Sequence, residues 1–251
     1  MIWIILFIIV VLVSFYLAYT SMKGYRQFPA RSLRYSLFLI LNKHQFDLEL
    51  LKKIHYWAYQ EGAIVSIERL FKGSDSALTI FAPTELIKEL DSLKTTELED
   101  YLEEPDQGNL DQPDISIQKP RVKMNESLVW LIHPKNNPKK KLVVSPDFLR
   151  MLNLTEQQQF FWQIVCSPCK EQSDFQVTIR AMVVDKEPTL RVNLAKQLDR
   201  SITEGTGLIK QSREQPSSVL FSEFKRRTLI PREVSKNVLD SQEILSLINP
   251  F

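Results

Sequence analysis

The chain has 251 residues, 44% of them apolar and 25% charged, with a net charge of +2. Those proportions describe an ordinary folded chain and exclude a disordered one, and the near balance of charge gives no global case for a nucleic-acid binder. Six glycines leave little material for phosphate-cradling loops, and two cysteines are too few for a disulfide framework, in keeping with a reducing compartment.

Residues 1–22 (MIWIILFIIVVLVSFYLAYTSM) contain no charged side chain. At about 1.5 Å per residue, such a helix reaches roughly 30 Å, the thickness of a bilayer core. At about −0.5 kcal/mol for each Leu, Ile, Val or Phe, insertion is favourable by several kcal/mol. A buried core helix is the plainer alternative, but this stretch is apolar on every face. A cleaved signal peptide would place basic residues before the apolar run and end it in small residues, and neither is present. The sequence therefore predicts a membrane anchor over 1–22, followed by a basic juxtamembrane segment, 23–32. Lys23, Arg26, Arg31 and Arg34 precede any acid, the first of which is Asp47. By the positive-inside rule the N-terminus lies outside and the following domains are cytoplasmic. The same four cations are candidates for contact with anionic headgroups, at about 1 kcal/mol each.

A first α+β domain is expected over 33–102. Residues 33–41 (LRYSLFLIL) read as a strand apolar on both faces. Asp47 can cap a helix in which Leu50, Leu51, Ile54, Trp57 and Ala58 form one stripe, and Gly62 suits a left-handed C-terminal cap. Strands follow at 63–71 (AIVSIERLF) and 77–82 (ALTIFA). A short helix carries Leu86, Ile87 and Leu90, and 97–102 (ELEDYL) reads as an acidic edge strand. The order β-α-β-β-α-β is the ferredoxin-like split pattern.

Residues 103–120 (EEPDQGNLDQPDISIQKP) form an acidic, proline-containing linker that buries too little to offset its ordering entropy. A second α+β domain is expected over 121–232. Its strands fall at 128–133, 142–145 and 160–166, with a half-buried strand at 175–184 that puts Phe175, Val177, Ile179, Ala181 and Val183 on one face. A helix opened by Pro188 carries Leu190, Leu194, Leu198 and Ile202 and ends at Gly205. Residues 218–230 read as a strand with a basic end. A tail, 233–251, holds a short helix at 241–248. The predicted fold is thus α+β, one transmembrane helix followed by two small α/β-sandwich units, the first ferredoxin-like.

The chemistry-bearing motifs are few. Cys166-Ser167-Pro168-Cys169 resembles a thioredoxin-type dithiol, whose first thiol is acidified by a helix N-terminus. Only five residues separate it from the next strand, so a hairpin containing two cysteines is the simpler reading. A structural zinc site would need two further ligands, and His133 lies on a separate strand. Gly205-Thr206-Gly207-Leu208-Ile209-Lys210 lacks the Walker spacing. His44, His55 and His133 are scattered over a turn, a helix and a strand. Two basic clusters, Lys139-Lys140-Lys141 and Lys225-Arg226-Arg227, are candidates for phosphates of nucleic acid or lipid. No metal, cofactor or catalytic constellation is predicted.

The order of features resembles the membrane-anchored amino-terminal region of certain conjugation or type IV secretion ATPases, especially those of small-genome bacteria. An acidic segment closing in Asp-Tyr is matched by Glu97-Leu98-Glu99-Asp100-Tyr101. A Q-I-V-x-x-P strand with an upstream glutamate is matched by Gln163-Ile164-Val165-Cys166-Ser167-Pro168 and Glu156. A strand containing I-R is matched by Ile179-Arg180, and a final S-x-E-I/L-x-x-L segment by Ser241-Gln242-Glu243-Ile244-Leu245-Ser246-Leu247. The resemblance spans roughly 1–248 and stops where the motor would begin, so it implies no ATPase activity. It implies a single-pass, cytoplasm-facing, non-catalytic docking domain working beside a separately encoded ATPase. The alternatives are a membrane-tethered thiol–disulfide oxidoreductase using Cys166 and Cys169, or a module binding nucleic acid or anionic lipid.

Overall fold

The computed structural model describes residues 2–22, 28–102, 122–134, 154–170, 174–206, 208–210, 217–230 and 237–248. The expected linker 103–120, the strand at 142–145, Lys23, Arg26 and the Lys139-Lys140-Lys141 cluster lie outside these residues.

Helix α1, Ile2–Met22, comes first. Among the described residues no helix is long and apolar enough to cross a membrane.

Strand β1 (Tyr35–Ile40) leads to α2 (Leu48–Glu61), β2 (Val65–Lys72), β3 (Asp75–Pro83), α3 (Thr84–Glu89) and β4 (Thr95–Leu98). Asp47 caps α2 by accepting from the Leu50 N–H at 2.9 Å, and Gly62 ends it at φ 61°. The four strands align as β4-β1-β3-β2, each pair antiparallel, the order of the split β-α-β-β-α-β pattern.

The second half adds β5 (Ser127–Pro134), β6 (Gln159–Pro168), β7 (Asp174–Val184), α4 (Pro188–Thr206), β8 (Leu208–Lys210), α5 (Ser217–Lys225), β9 (Val238–Asp240) and α6 (Ser241–Ile248). The expectation of two separate sandwiches is corrected here. β2 pairs antiparallel with β6 from Val65↔Cys166 to Lys72↔Gln159, so both halves share one nine-stranded sheet. The physical reason is that β2 would otherwise be an edge eight residues long, whose unpaired backbone N–H and C=O groups are satisfied by a second ladder.

One sheet face is covered by α2, α3, α4 and α6, through Leu51, Ile54, Leu86, Leu198 and Leu247 among others. The other face carries Val129, Leu131, Phe161 and Met182 beneath Leu220 and Phe224 of α5. That second cover corrects two expectations. Residues 218–230 are not a strand: Leu220 and Phe224 fall at i, i+4 and bury one helical face. Accordingly β7 is not half-buried, because both its faces lie under helices. A third correction concerns 97–102: β4 ends at Leu98, and the chain then leaves the sheet.

Two substitutions test the local determinants. Gly62→Ala should lower unfolding stability by about 1 kcal/mol, because the left-handed backbone and not crowding excludes a Cβ there. Asp47→Ala should lower it by about 1 kcal/mol through the lost cap. Both are read from denaturant midpoints at unchanged slope.

Candidate functional site

Polar residues concentrate inside the face covered by α5. Glu68 on β2, Gln163 on β6 and Arg180 on β7 are register neighbours in one row across three strands, and each is fully buried. Isolated in such a place, a carboxylate or guanidinium would be strongly destabilising; here each meets partners of matching chemistry. The Gln163 amide nitrogen donates to Glu68 Oε1 at 3.0 Å and to the Phe224 carbonyl at 3.1 Å, while its oxygen accepts from Arg180 Nη1 at 3.2 Å. Arg180 also donates to the Thr228 carbonyl and hydroxyl and lies 3.9 Å from Glu223.

Arg227 completes the row from above. Its Nε donates to Glu68 Oε1 at 2.7 Å and its Nη2 to Oε2 at 3.4 Å. On its other edge Nη1 and Nη2 donate to the Asp100 carboxylate at 2.5 and 3.1 Å. The guanidinium carbon sits 4.1 Å from the Phe81 ring centroid, a cation–π contact. Desolvation alone would pull this guanidinium down, but Glu68 and Asp100 outweigh it and hold it above the ordinary arginine value. Ser66 and Tyr101 each donate a hydroxyl to Glu68, at 2.9 and 2.6 Å. Tyr101 also stacks on Phe161 at 5.2 Å, and Leu102 is buried beside it. The segment after β4 is therefore a strap held down by Asp100, Tyr101 and Leu102. Burial, then the Glu68 charge, push the Tyr101 phenol well above its usual range.

The backbone serves the same contact. Thr228 N–H bonds to the Glu223 carbonyl and Arg227 N–H to the Phe224 carbonyl, a Schellman ending of α5. Its left-handed position, where glycine is usual, is held by Arg227 at φ 50°.

The predicted site residues fare unequally. Arg227, expected as an anionic-surface contact, is buried and already neutralised; Lys225 is half-buried and Arg226 exposed. Cys166 lies inside β6 with its thiol facing the Ile164 carbonyl at 3.8 Å, and burial pushes that thiol up. A reactive thiol needs the opposite shift, and Cys169 N–H bonds to the carbonyl of Asp174, the first residue of β7. Neither cysteine is in a disulfide. Arg31 and Arg34 are exposed on the turn before β1. His55 is buried, with Nε2 3.0 Å from the Asp174 carbonyl and its ring edge-on to Phe175. Among the described residues no group of three His, Cys, Asp or Glu side chains is placed to hold a metal. An open groove of about 340 Å³ between α2 and α3 has Leu86 and Leu90 as its floor and Lys53 and Glu89 at its rim.

Sequence reasoning missed Glu68, Glu223 and Thr228. The signal for Glu68 was present: a carboxylate in the middle of AIVSIERLF, a stretch with six apolar residues of nine. Asp100, Tyr101, Gln163 and Arg180, four residues of the matched segments, meet in this one network. No protein-family model matches the chain, and no curated protein matches it.

The network makes two testable statements. Arg227→Ala should destabilise by about 3–5 kcal/mol, since two buried carboxylates lose their partner; Arg227→Lys should recover only part, lacking the planar fork. Alkaline titration is the second. The Tyr101 phenol is raised above the 10.0 of an unfolded chain, so its contribution is complete below that pH and is lost as pH rises beyond it. The unfolded chain ionises first, and stability falls by about 1.4 kcal/mol per pH unit for this group. Cys166, raised above 9.0, adds a slope of the same sign. In pH-dependent unfolding, Tyr101→Phe should flatten the profile above pH 10 while leaving the Cys166 part.

Proposed function

We propose that this protein is a membrane-anchored docking domain, held by α1 with its sheet on the cytoplasmic side, which positions a separately encoded secretion- or conjugation-type ATPase. The observation that carries this reading is the exposure of α1. Over three turns, residues 7–17 bury no face, with Phe7, Leu12 and Phe15 at 68%, 63% and 75% exposure. A helix that is apolar all round needs an apolar solvent, whether a protein core or a lipid core. The uncharged run 1–22 followed by cations only up to Asp47 favours lipid and the stated direction.

Docking, and not catalysis, is supported by the chemistry of the buried row. Its carboxylates are tied to guanidiniums under α5, which suits a rigid platform. The first half, read as a ferredoxin-like unit, and the second form that platform through the β2–β6 ladder. The four motif residues that meet in the network support the secretion-ATPase reading in particular, because a chance likeness gives no reason for them to be neighbours in space.

The full chain should remain with membranes through an alkaline carbonate wash. Leu12→Arg with Val13→Arg, at about 6 kcal/mol together, should release it. Release of the unaltered chain overturns the anchor. Cross-linking in membranes followed by detergent extraction should recover a nucleotide-hydrolysing partner, and recovery of the domain alone overturns the docking role.

A further inference from the structure

The chain re-emerges from α1 at Phe28, six peptide steps beyond Met22. Fully extended, those steps reach no further than about 20 Å, while the headgroup layer on one side of a bilayer is about 5–7 Å deep. The turn before β1 is therefore confined to the neighbourhood of whatever holds α1. This turn is rigidly based. Leu33 N–H bonds to the Ala30 carbonyl at 3.1 Å, Thr84 N–H bonds to the Arg34 carbonyl at 2.9 Å, and the Leu33 side chain packs on the core. From that base Phe28, Arg31 and Arg34 project into solvent, Phe28 at 50% exposure. Among the described residues neither Arg31 nor Arg34 makes an ion pair or side-chain hydrogen bond, whereas Arg227 donates to two carboxylates from all three of its nitrogens. An aromatic ring and two exposed guanidiniums on this turn fit an interface of anionic headgroups: the ring suits the boundary layer, and the planar fork matches a phosphate.

We propose that this end of the sheet, where β1 starts beside the end of β3, rests on anionic phospholipid through Arg31, Arg34 and Phe28, and so fixes how the domain is tilted against the membrane. The proposal rests on the anchor reading and adds a second, charge-dependent contact to it. Glu85, exposed at the start of α3 and next to Thr84, opposes that contact. The sheet's far end, with the β2–β3 turn at Gly73, points away from the bilayer and is the end left free for a partner.

The test uses the full chain reconstituted into vesicles of phosphatidylcholine alone or mixed with phosphatidylglycerol, with hydrogen exchange read at the amides of residues 28–35. Protection should appear only with phosphatidylglycerol and fade as salt is raised. Arg31→Gln with Arg34→Gln should reduce it by about 25-fold, at roughly fivefold for each arginine, and Glu85→Gln should increase it. Lys23 and Arg26 are unchanged in these variants, so their attraction cancels. Equal exchange in both lipids, with the chain still resistant to carbonate, overturns this contact and leaves the anchor standing. Loss of the chain to carbonate overturns both. Protection produced by a short DNA duplex in neutral vesicles, and none by phosphatidylglycerol, would reassign the arginines to nucleic acid and overturn the lipid contact.

Discussion

The guanidinium of Arg227 lies between two carboxylates, Glu68 from within the sheet and Asp100 from the strap that leaves it, and the cover of one sheet face depends on this pair of contacts. α5 ends where Arg227 begins, so its closing turn is fixed by a side chain that cannot move without stranding Glu68. The strap, on the opposite side, has no ladder to hold it once β4 ends. Its position is set by Asp100 on the guanidinium and by Tyr101 on Glu68 and Phe161. Compared with well-packed apolar residues, such a cluster adds little net stability, because desolvation offsets much of the Coulomb gain. What it supplies is direction: an apolar lid can slide, whereas a doubly bidentate guanidinium has one seat. The left-handed backbone at Arg227, worth roughly 1–2 kcal/mol against a non-glycine residue, is tolerated for that reason.

The β2–β6 ladder makes the same point at larger scale. Eight register pairs join the halves, and the Glu68–Gln163 contact sits in the middle of them. Hydrogen bonds along the backbone and polar contacts between side chains thus select the same alignment. A slip of one residue would turn Glu68 toward α2 and the apolar core and leave Arg227 without its inner partner. The register is therefore specified twice, by the ladder and by charge.

Much of this was readable in the amino-acid order where the determinants are local. Asp47, the Leu50–Ile54–Ala58 stripe and Gly62 define α2 with no help from the rest of the chain. Asp240 and Glu243 exchange bonds at the start of α6 and fix that helix likewise. What could not be read was whatever depends on distant chain. The SVLFSEFK run is short enough to suit a strand or a helix, and only the apolar face formed by Phe161 and Met182 decides for the helix. β8 and β9, three residues each, exist because β5 and β7 offer them edges. Lys225-Arg226-Arg227 reads as a solvated basic patch until Glu68 and Asp100 are brought to it from 159 and 127 residues away. The candidate site is legible in the sequence only in fragments: the acid-aromatic pair, the Q-I-V strand and the I-R strand stand out singly, and nothing local brings them together.

The seam between β2 and β6 also has a history during synthesis. Glu68 leaves the ribosome 95 residues before Gln163. At about 5–20 residues per second, β2 waits roughly 5–20 s for the strand that will pair with it. Through that interval the first half carries an open edge eight residues long, with its backbone N–H and C=O groups unpaired. Such an edge is a template for pairing with any neighbouring nascent chain. Chains emerging side by side on a polysome would offer each other the same β2, so crowding during translation, and not the stability of the finished molecule, sets the point of greatest exposure to misassembly.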